Sequence, residues 1–308
     1  MKLEKILSPK LEATYLTFGR SDNEIVGIQN WSSGQNKITF YDFDGKKVIP
    51  KQKIMNDDGR TVDGMVMFEE DLLVFESGGK PYSGLIQTYQ KKNETWTKTH
   101  SYPTLNFIEE PSIKNGIIAG TEYHDHHGFL LSLYDMNYAP KNILTKKLPN
   151  VMSNLVWLPQ TNHLAAESNN RLMIYVFDAQ NTELTKFGQH ENINFTLHNY
   201  RMLEREGENN ISSILATKND ELLLGITSKD KRSKDGKSRG HVILTTSLMD
   251  NDTLTLQGKL GEIPEIDIFN DLVLSPSEKF LMTYEHNLLS PINCNIYSVD
   301  FCREPRYG

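Results

Sequence analysis

The chain has 308 residues, 38% of them hydrophobic and 24% charged, with a formal net charge of −7. This is ample apolar material for a core, and the acidic balance runs against a general nucleic-acid binder. Two cysteines, Cys294 and Cys302, exclude a disulfide framework, and the absence of any apolar stretch of about 18 residues or of an apolar leader in Met1–Lys10 argues for a soluble, monomeric, cytoplasmic chain that engages no membrane. Export without a cleaved signal, as an effector, is the alternative.

Leu3–Leu7 reads as a short strand standing before any repeat. The first apolar run, Glu24–Gln29, is followed by a second run closing on Tyr41-Asp42 and by the turn Asp44-Gly45. Leu72–Glu76 is followed in the same way by Tyr89-Gln90, the turn Lys92-Asn93-Glu94 and a polar strand, Trp96–Ser101. Ile117–Glu122 leads to Tyr134-Asp135, and His163–Glu167, preceded by the inner strand Leu155–Leu158, leads to Phe177-Asp178. Leu222–Thr227 leads to Met249-Asp250, and Phe280–Glu285, preceded by Asp271–Ser275, leads to Val299-Asp300.

The polar residues that end these apolar runs lie 47, 46, 45, 60 and 58 residues apart. A period in the forties is that of a four-stranded propeller blade. The two long intervals contain an insertion at about 191–210 and a basic loop at about 229–241. Strand–turn–strand grammar repeated six times predicts an all-β fold, a six-bladed β-propeller in one domain over 1–308, with seven blades as the alternative count. The tail after Cys302 is short and polar, so the N-terminal strand is expected to pair with the last blade and close the ring, which removes an open edge.

Asp271–Glu285 with Val299-Asp300, and Leu155–Gln160 through Phe177-Asp178, resemble WD40-type blades in degenerate form, with Tyr, Phe, Met or Val at most of the Trp-Asp positions. The resemblance implies a propeller presenting broad, rigid faces. In such a blade the turn after the second strand opens on the face that carries the blade-to-blade connections. Glu76, Glu122, Glu167 and Glu285, with Gln29 and Thr227, are therefore expected to form a largely acidic rim on one face, a surface for a basic partner segment.

The segment Glu122–Gly128 places His124, Asp125, His126 and His127 together; these are weak candidate ligands for a divalent metal, because neighbours on a tight turn rarely converge on one ion. The insertion carries Phe195, Tyr200 and Arg201 in a segment richer in aromatic residues than a solvated loop requires, which marks it as an interaction site. Gly236–Gly240 matches the letters of a nucleophile elbow. It lies among Lys, Arg, Asp and Ser between two strands, where the strained strand-to-helix turn that the motif needs has no place. With no paired catalytic constellation, the leading expectation is a non-enzymatic protein–protein interaction scaffold that needs no cofactor. The alternative is a metal-dependent hydrolase or lactonase of the six-bladed type, with a divalent ion in the central channel.

Overall fold

The computed structural model describes residues 2–30, 35–56, 59–78, 84–104, 108–124, 128–136, 140–147, 151–168, 171–178, 183–189, 209–228, 239–250, 253–258, 266–267, 271–284 and 292–301. After β1 (Lys2–Leu7) and β2 (Lys10–Leu11) come four strands of sheet 1, β3 (Tyr15–Phe18), β4 (Glu24–Asn30), β5 (Asn36–Phe43) and β6 (Val48–Asn56). Sheet 2 holds β7 (Thr61–Phe68), β8 (Asp71–Ser77), β9 (Gly84–Lys92) and β10 (Thr95–Thr104), and sheet 3 holds β11 (Glu109–Lys114), β12 (Ile117–His124), β13 (Gly128–Asp135) and β14 (Lys141–Lys147). Sheet 4 holds β15 (Ser153–Trp157), β16 (His163–Ser168), β17 (Arg171–Asp178) and β18 (Glu183–Gln189). Sheet 5 holds β19 (Asn209–Ala216), β20 (Leu222–Ser228), β21 (Arg239–Asp250) and β22 (Thr253–Gly258), with β23 (Ile266–Asp267) on β21. Sheet 6 is built from β24 (Asp271–Leu274), β25 (Phe280–Tyr284) and β26 (Ile292–Asp300), and both β1 and β2 pair antiparallel with β26.

Each sheet is an antiparallel meander whose first strand touches the first strand of the next sheet, and β24 touches β3. That is a propeller arrangement. The second strand of each sheet carries an apolar run because its alternating side chains meet different neighbours. In β8, Leu72 and Val74 join a cluster with Val26, Ile28 and Phe40 of sheet 1, while Leu73 and Phe75 join one with Ile118 and Tyr134 of sheet 3. A strand buried on both faces shows no polar alternation, which is why these runs are the strongest signal in the sequence. The outer strands have one packed face at most; β6 is exposed at Ile49, Lys51, Lys53 and Met55.

Turns between first and second strands tie neighbouring sheets together at one end of the ring. Arg20 bridges to Glu70 at 2.7 Å, Lys114 Nζ donates to the carbonyls of Leu158 (2.7 Å) and Thr161, and Gln160 N donates to Asp220 Oδ1 at 2.7 Å. Lys218 N donates to the Glu278 carboxylate, and Ser277 N donates to Asp22 Oδ1 at 2.9 Å, linking sheet 6 to sheet 1.

Close packing between sheets fixes some residues as glycine. A Cβ at Gly120 would stand 2.1 Å from Ile108 Cγ2 and 3.4 Å from the Glu109 carbonyl. Gly120→Ala is therefore expected to destabilise by about 1–3 kcal/mol through overpacking, read as a lower urea midpoint at unchanged slope. A midpoint equal to wild type would show that Ile108 moves freely.

An acid-lined cavity on the propeller axis

The first strands of sheets 2 to 5 share an irregularity. Pairing with the second strand slips by one extra residue between Val62 and Gly64, Glu109 and Ser112, Ser153 and Val156, and Ile211 and Ser213. Such bulges re-aim the side chains they carry. Here they hold Asp63, Glu110 with Pro111, Asn154 with Leu155, and Ser212. Glu110 (φ 48°) and Asn154 (φ 55°) have left-handed backbone, a conformation that costs energy outside glycine and is concentrated at functional sites.

Neighbouring side chains pin the bulges. Asn30 donates to the Val62 carbonyl (2.8 Å) and accepts from Val62 N (3.2 Å), which replaces ladder bonds beside Asp63. A Cβ on Gly64 would lie 2.5 Å from Pro111 Cδ, so the glycine lets the chain next to Asp63 approach the chain next to Glu110. Ser112 Oγ accepts from Trp157 N at 3.0 Å and Ser213 Oγ from Leu272 N at 3.3 Å, bonds that carry one inner strand to the next.

These strands surround a cavity of about 420 Å³ on the axis. Its polar lining includes Tyr15, Thr17, Asp63, Glu109, Glu110, Asn154, Ser213, Asp271 and Tyr284; Leu16, Met65, Leu155, Ile214, Leu272 and Val273 are among its apolar walls. No Lys, Arg or His is among its described lining residues. Asp63 Oδ1 accepts from Ser77 Oγ at 2.9 Å, whereas Asp63 Oδ2 is buried and has no hydrogen-bond partner. Burial, reinforced by the charge of Glu109 and opposed by the Ser77 bond, pushes the Asp63 carboxyl up to about 7.

Glu110, which accepts from Asn154 N, is likewise pushed up to about 7, by enclosure in protein and then by the charges of Asp271, Glu109 and Glu167. Its side chain still meets water, as does that of Glu109; this tempers the burial contribution and leaves the like charges. Tyr15 is pushed up to about 12 by burial first and then by Asp63, Asp271, Glu109 and Glu110. Buried Tyr284 is bonded to Asp271 and is raised well above its usual range, again by burial first. Four carboxylates from three sheets thus share one field.

Two of the acids expected on an outer rim, Glu76 and Glu122, are buried. Glu76 is only 2% exposed and accepts from Asn56 Nδ2 (2.9 Å) and Gln87 Nε2 (2.5 Å); Glu122 is 1% exposed and accepts from Tyr134 OH (2.6 Å). Both are engaged within the blades, because a carboxylate under neighbouring strands is tolerated only where amide or hydroxyl donors meet it. The solvent-facing rim is corrected accordingly for these two. Glu167 is half-buried and accepts from Ser153 Oγ at 2.5 Å. His124 ends β12 opposite Gly128, with its side chain outside the described residues. Glu285, Phe195, Tyr200, Arg201, Asp125, His126 and His127 lie outside the described residues altogether.

Asp63, Glu110, Asn154 and Asp271 were not singled out by the strand pattern. The signal was present: each stands 12 to 14 residues ahead of Glu76, Glu122, Glu167 and Glu285 respectively, so the same period repeats at the start of the inner strands.

No protein-family model matches the sequence, and no curated protein matches it either. Solved structures do. A luciferin-regenerating enzyme superposes with a TM-score of 0.60 at 11% identity, covering 98% of this chain and 95% of that one. The Cps50 (Swd1) β-propeller domain of Myceliophteria thermophila gives 0.54 at 12% identity over 97% and 100%, and U3-55K gives 0.54 at 11% over 96% and 98%. With the ring of meanders, these likenesses define the class: the protein is a β-propeller of WD40-like architecture. At these identities they speak to fold alone.

Proposed function

We propose that the six sheets are the six blades of one closed ring, with β1 completing the last, and that the ring is a non-enzymatic binding scaffold whose axial cavity receives a positively charged group carried by another protein. The observation that carries this reading is the gathering of Asp63, Glu109, Glu110 and Asp271 around one cavity. Crowded like charges call for a counter-charge. The left-handed backbone at Glu110 and Asn154 supports the same reading, since strain is retained where it positions a working group. The segment around Phe195, Tyr200 and Arg201 enters the proposal as a second contact for that partner.

The hydrolase reading puts a divalent ion in the channel. Glu76 and Glu122, which would have held it, are engaged inside their blades. Among the described residues, no group of three Asp, Glu, His or Cys side chains stands where it can hold a metal ion.

Fluorescence anisotropy with a labelled lysine- and arginine-bearing hexapeptide, against its alanine counterpart, tests the proposal. The basic peptide is expected to bind, and Glu110→Gln to weaken it by about tenfold, the effect of losing one partly desolvated charge pair. Equal binding by wild type and variant removes the cavity from the account. A rise in melting temperature with calcium or zinc, and no response to the peptide, supports the hydrolase instead.

A further inference from the structure

We propose that the turns between first and second strands act as one mechanical relay, so that loosening the junction of sheets 6 and 1 is felt at the turns of sheets 5 and 4. This conformational device rests on the reading of the six sheets as one closed ring and adds to it.

The bonds between these turns all run in one sense. Arg20 of sheet 1 pairs with Glu70 of sheet 2, and Lys114 of sheet 3 donates to the carbonyls of Leu158 and Thr161 of sheet 4. Gln160 of sheet 4 donates from N to Asp220 Oδ1 and from Nε2 to the Lys218 carbonyl of sheet 5, at 2.7 and 3.0 Å. Lys218 N of sheet 5 donates to Glu278 of sheet 6. Ser277 of sheet 6 donates from both N and Oγ to Asp22 of sheet 1. In every link the donor stands on one sheet and the acceptor on the sheet that follows, and the last link crosses from sheet 6 back to sheet 1.

Four turns are therefore both acceptor and donor, through neighbouring residues: Thr161 with Gln160, Asp220 with Lys218, Glu278 with Ser277, and Asp22 with Arg20. Backbone bonds brace each of these turns across its base. Gly19 N donates to the Glu24 carbonyl (2.8 Å), Leu158 N to His163 (2.9 Å), Thr217 N to Glu221 (2.8 Å) and Ser275 N to Phe280 (2.9 Å). Asp220 N and Glu278 N close tighter loops inside their turns, onto the carbonyls of Thr217 (3.0 Å) and Ser275 (2.8 Å). Both residues have left-handed backbone, φ 60° and 64°, which persists only where the surroundings over-determine it. A turn braced in this way moves as a unit, so freeing its donor also shifts its acceptor. Three of the acceptors, Asp22, Asp220 and Glu278, are carboxylates that take backbone N–H groups, and such charge-assisted bonds are stronger than neutral ones.

Hydrogen exchange on the full chain is the test, because three donors of the relay are the backbone amides of Ser277, Lys218 and Gln160. Asp22→Ala removes both acceptors of Ser277 and leaves Glu278 and Asp220 in place. Exchange is expected to rise about tenfold at Ser277, the effect of losing one charge-assisted bond, and about threefold or more at Lys218 and Gln160. Ser277→Ala, which removes only the Oγ link, should give smaller rises in the same order, and it serves if Asp22→Ala does not fold. Gly120→Ala weakens packing in sheet 3 without touching a link, so it should leave the three amides as in the wild type. A rise confined to Ser277 overturns the relay and leaves the closed ring standing. Equal rises at all three amides in Asp22→Ala and Gly120→Ala also overturn it, since general unfolding then explains them. Closure is read separately, from the amides of β1 in the wild type: if these exchange as freely as an unfolded chain, the closed ring and the relay fall together.

Discussion

Asp63→Asn is expected to make the protein more stable above neutral pH and to change little under acid conditions. The folded carboxyl is raised from its ordinary value of 3.8 to about 7, chiefly by burial. For an acid raised in this way, the native state holds more protons than the unfolded chain between those two values. Stability is therefore fully present below the lower value, falls as pH climbs through the window, and levels off above about 7. At about 1.4 kcal/mol per unit the full cost has an upper bound of roughly 4 kcal/mol, and relaxation of the site brings it to about 1–2 kcal/mol. Asparagine keeps an acceptor for Ser77 Oγ and removes the charge. For a chain of this size the gain reads as a melting-temperature rise of about 2–6 °C at about pH 8, with no gain near pH 4. An equal shift at both pH values would mean that the effect is packing rather than ionisation. The same change should weaken cation binding, the familiar trade between stability and a charged site.

Trp96→Ala is expected to be among the most damaging substitutions, at about 3–5 kcal/mol. Trp96 lies on the outer strand of sheet 2, yet it is only 1% exposed, because its ring reaches back onto sheet 1. There it stacks on Phe40 with centroids 4.9 Å apart and planes 9° off parallel, and its Nε1 donates to Glu24 Oε1 at 3.0 Å. Gln52 clasps its backbone from the other sheet, donating to the Trp96 carbonyl at 2.7 Å and accepting from Trp96 N at 2.8 Å. Truncation to alanine leaves a void between two sheets and takes one donor from a buried carboxylate, which retains Arg20 N and Lys91 Nζ. Trp96→Phe keeps most of the stack and loses only the donor, so about 1–2 kcal/mol is expected. Urea unfolding of the two variants separates the contributions. A loss below about 1 kcal/mol for the alanine variant would show that sheets 1 and 2 do not depend on this contact.

The contrast between what the sequence announced and what it concealed has a physical basis. The second strands were legible because both of their faces are covered, and double burial leaves an uninterrupted apolar run, as in Leu72–Phe75. Leu3–Leu7 was likewise readable as a short strand standing before the first repeat, and Leu3 pairs with Val299. The fate of Glu76 and Glu122 was not. A carboxylate at the end of an apolar run looks the same whether it meets water or a tyrosine hydroxyl, and the deciding partners, Gln87 and Tyr134, sit on the following strand. Nor were the bulges: one surplus residue in a ladder alters neither composition nor alternation, so Asp63, Glu110 and Asn154 read as ordinary polar positions until the pairing is known. Trp96 misled in the opposite sense, as part of a strand otherwise marked by polar residues.

The pairing of Lys2 with Asp300 has a consequence for how the molecule comes into being. A ribosome delivers the first of these residues long before the second, so β1 must wait without this neighbour until β26 (Ile292–Asp300) has been made. Pairing of β1 with β26 is a contact of very long sequence separation, the kind whose loop-closure entropy slows its formation.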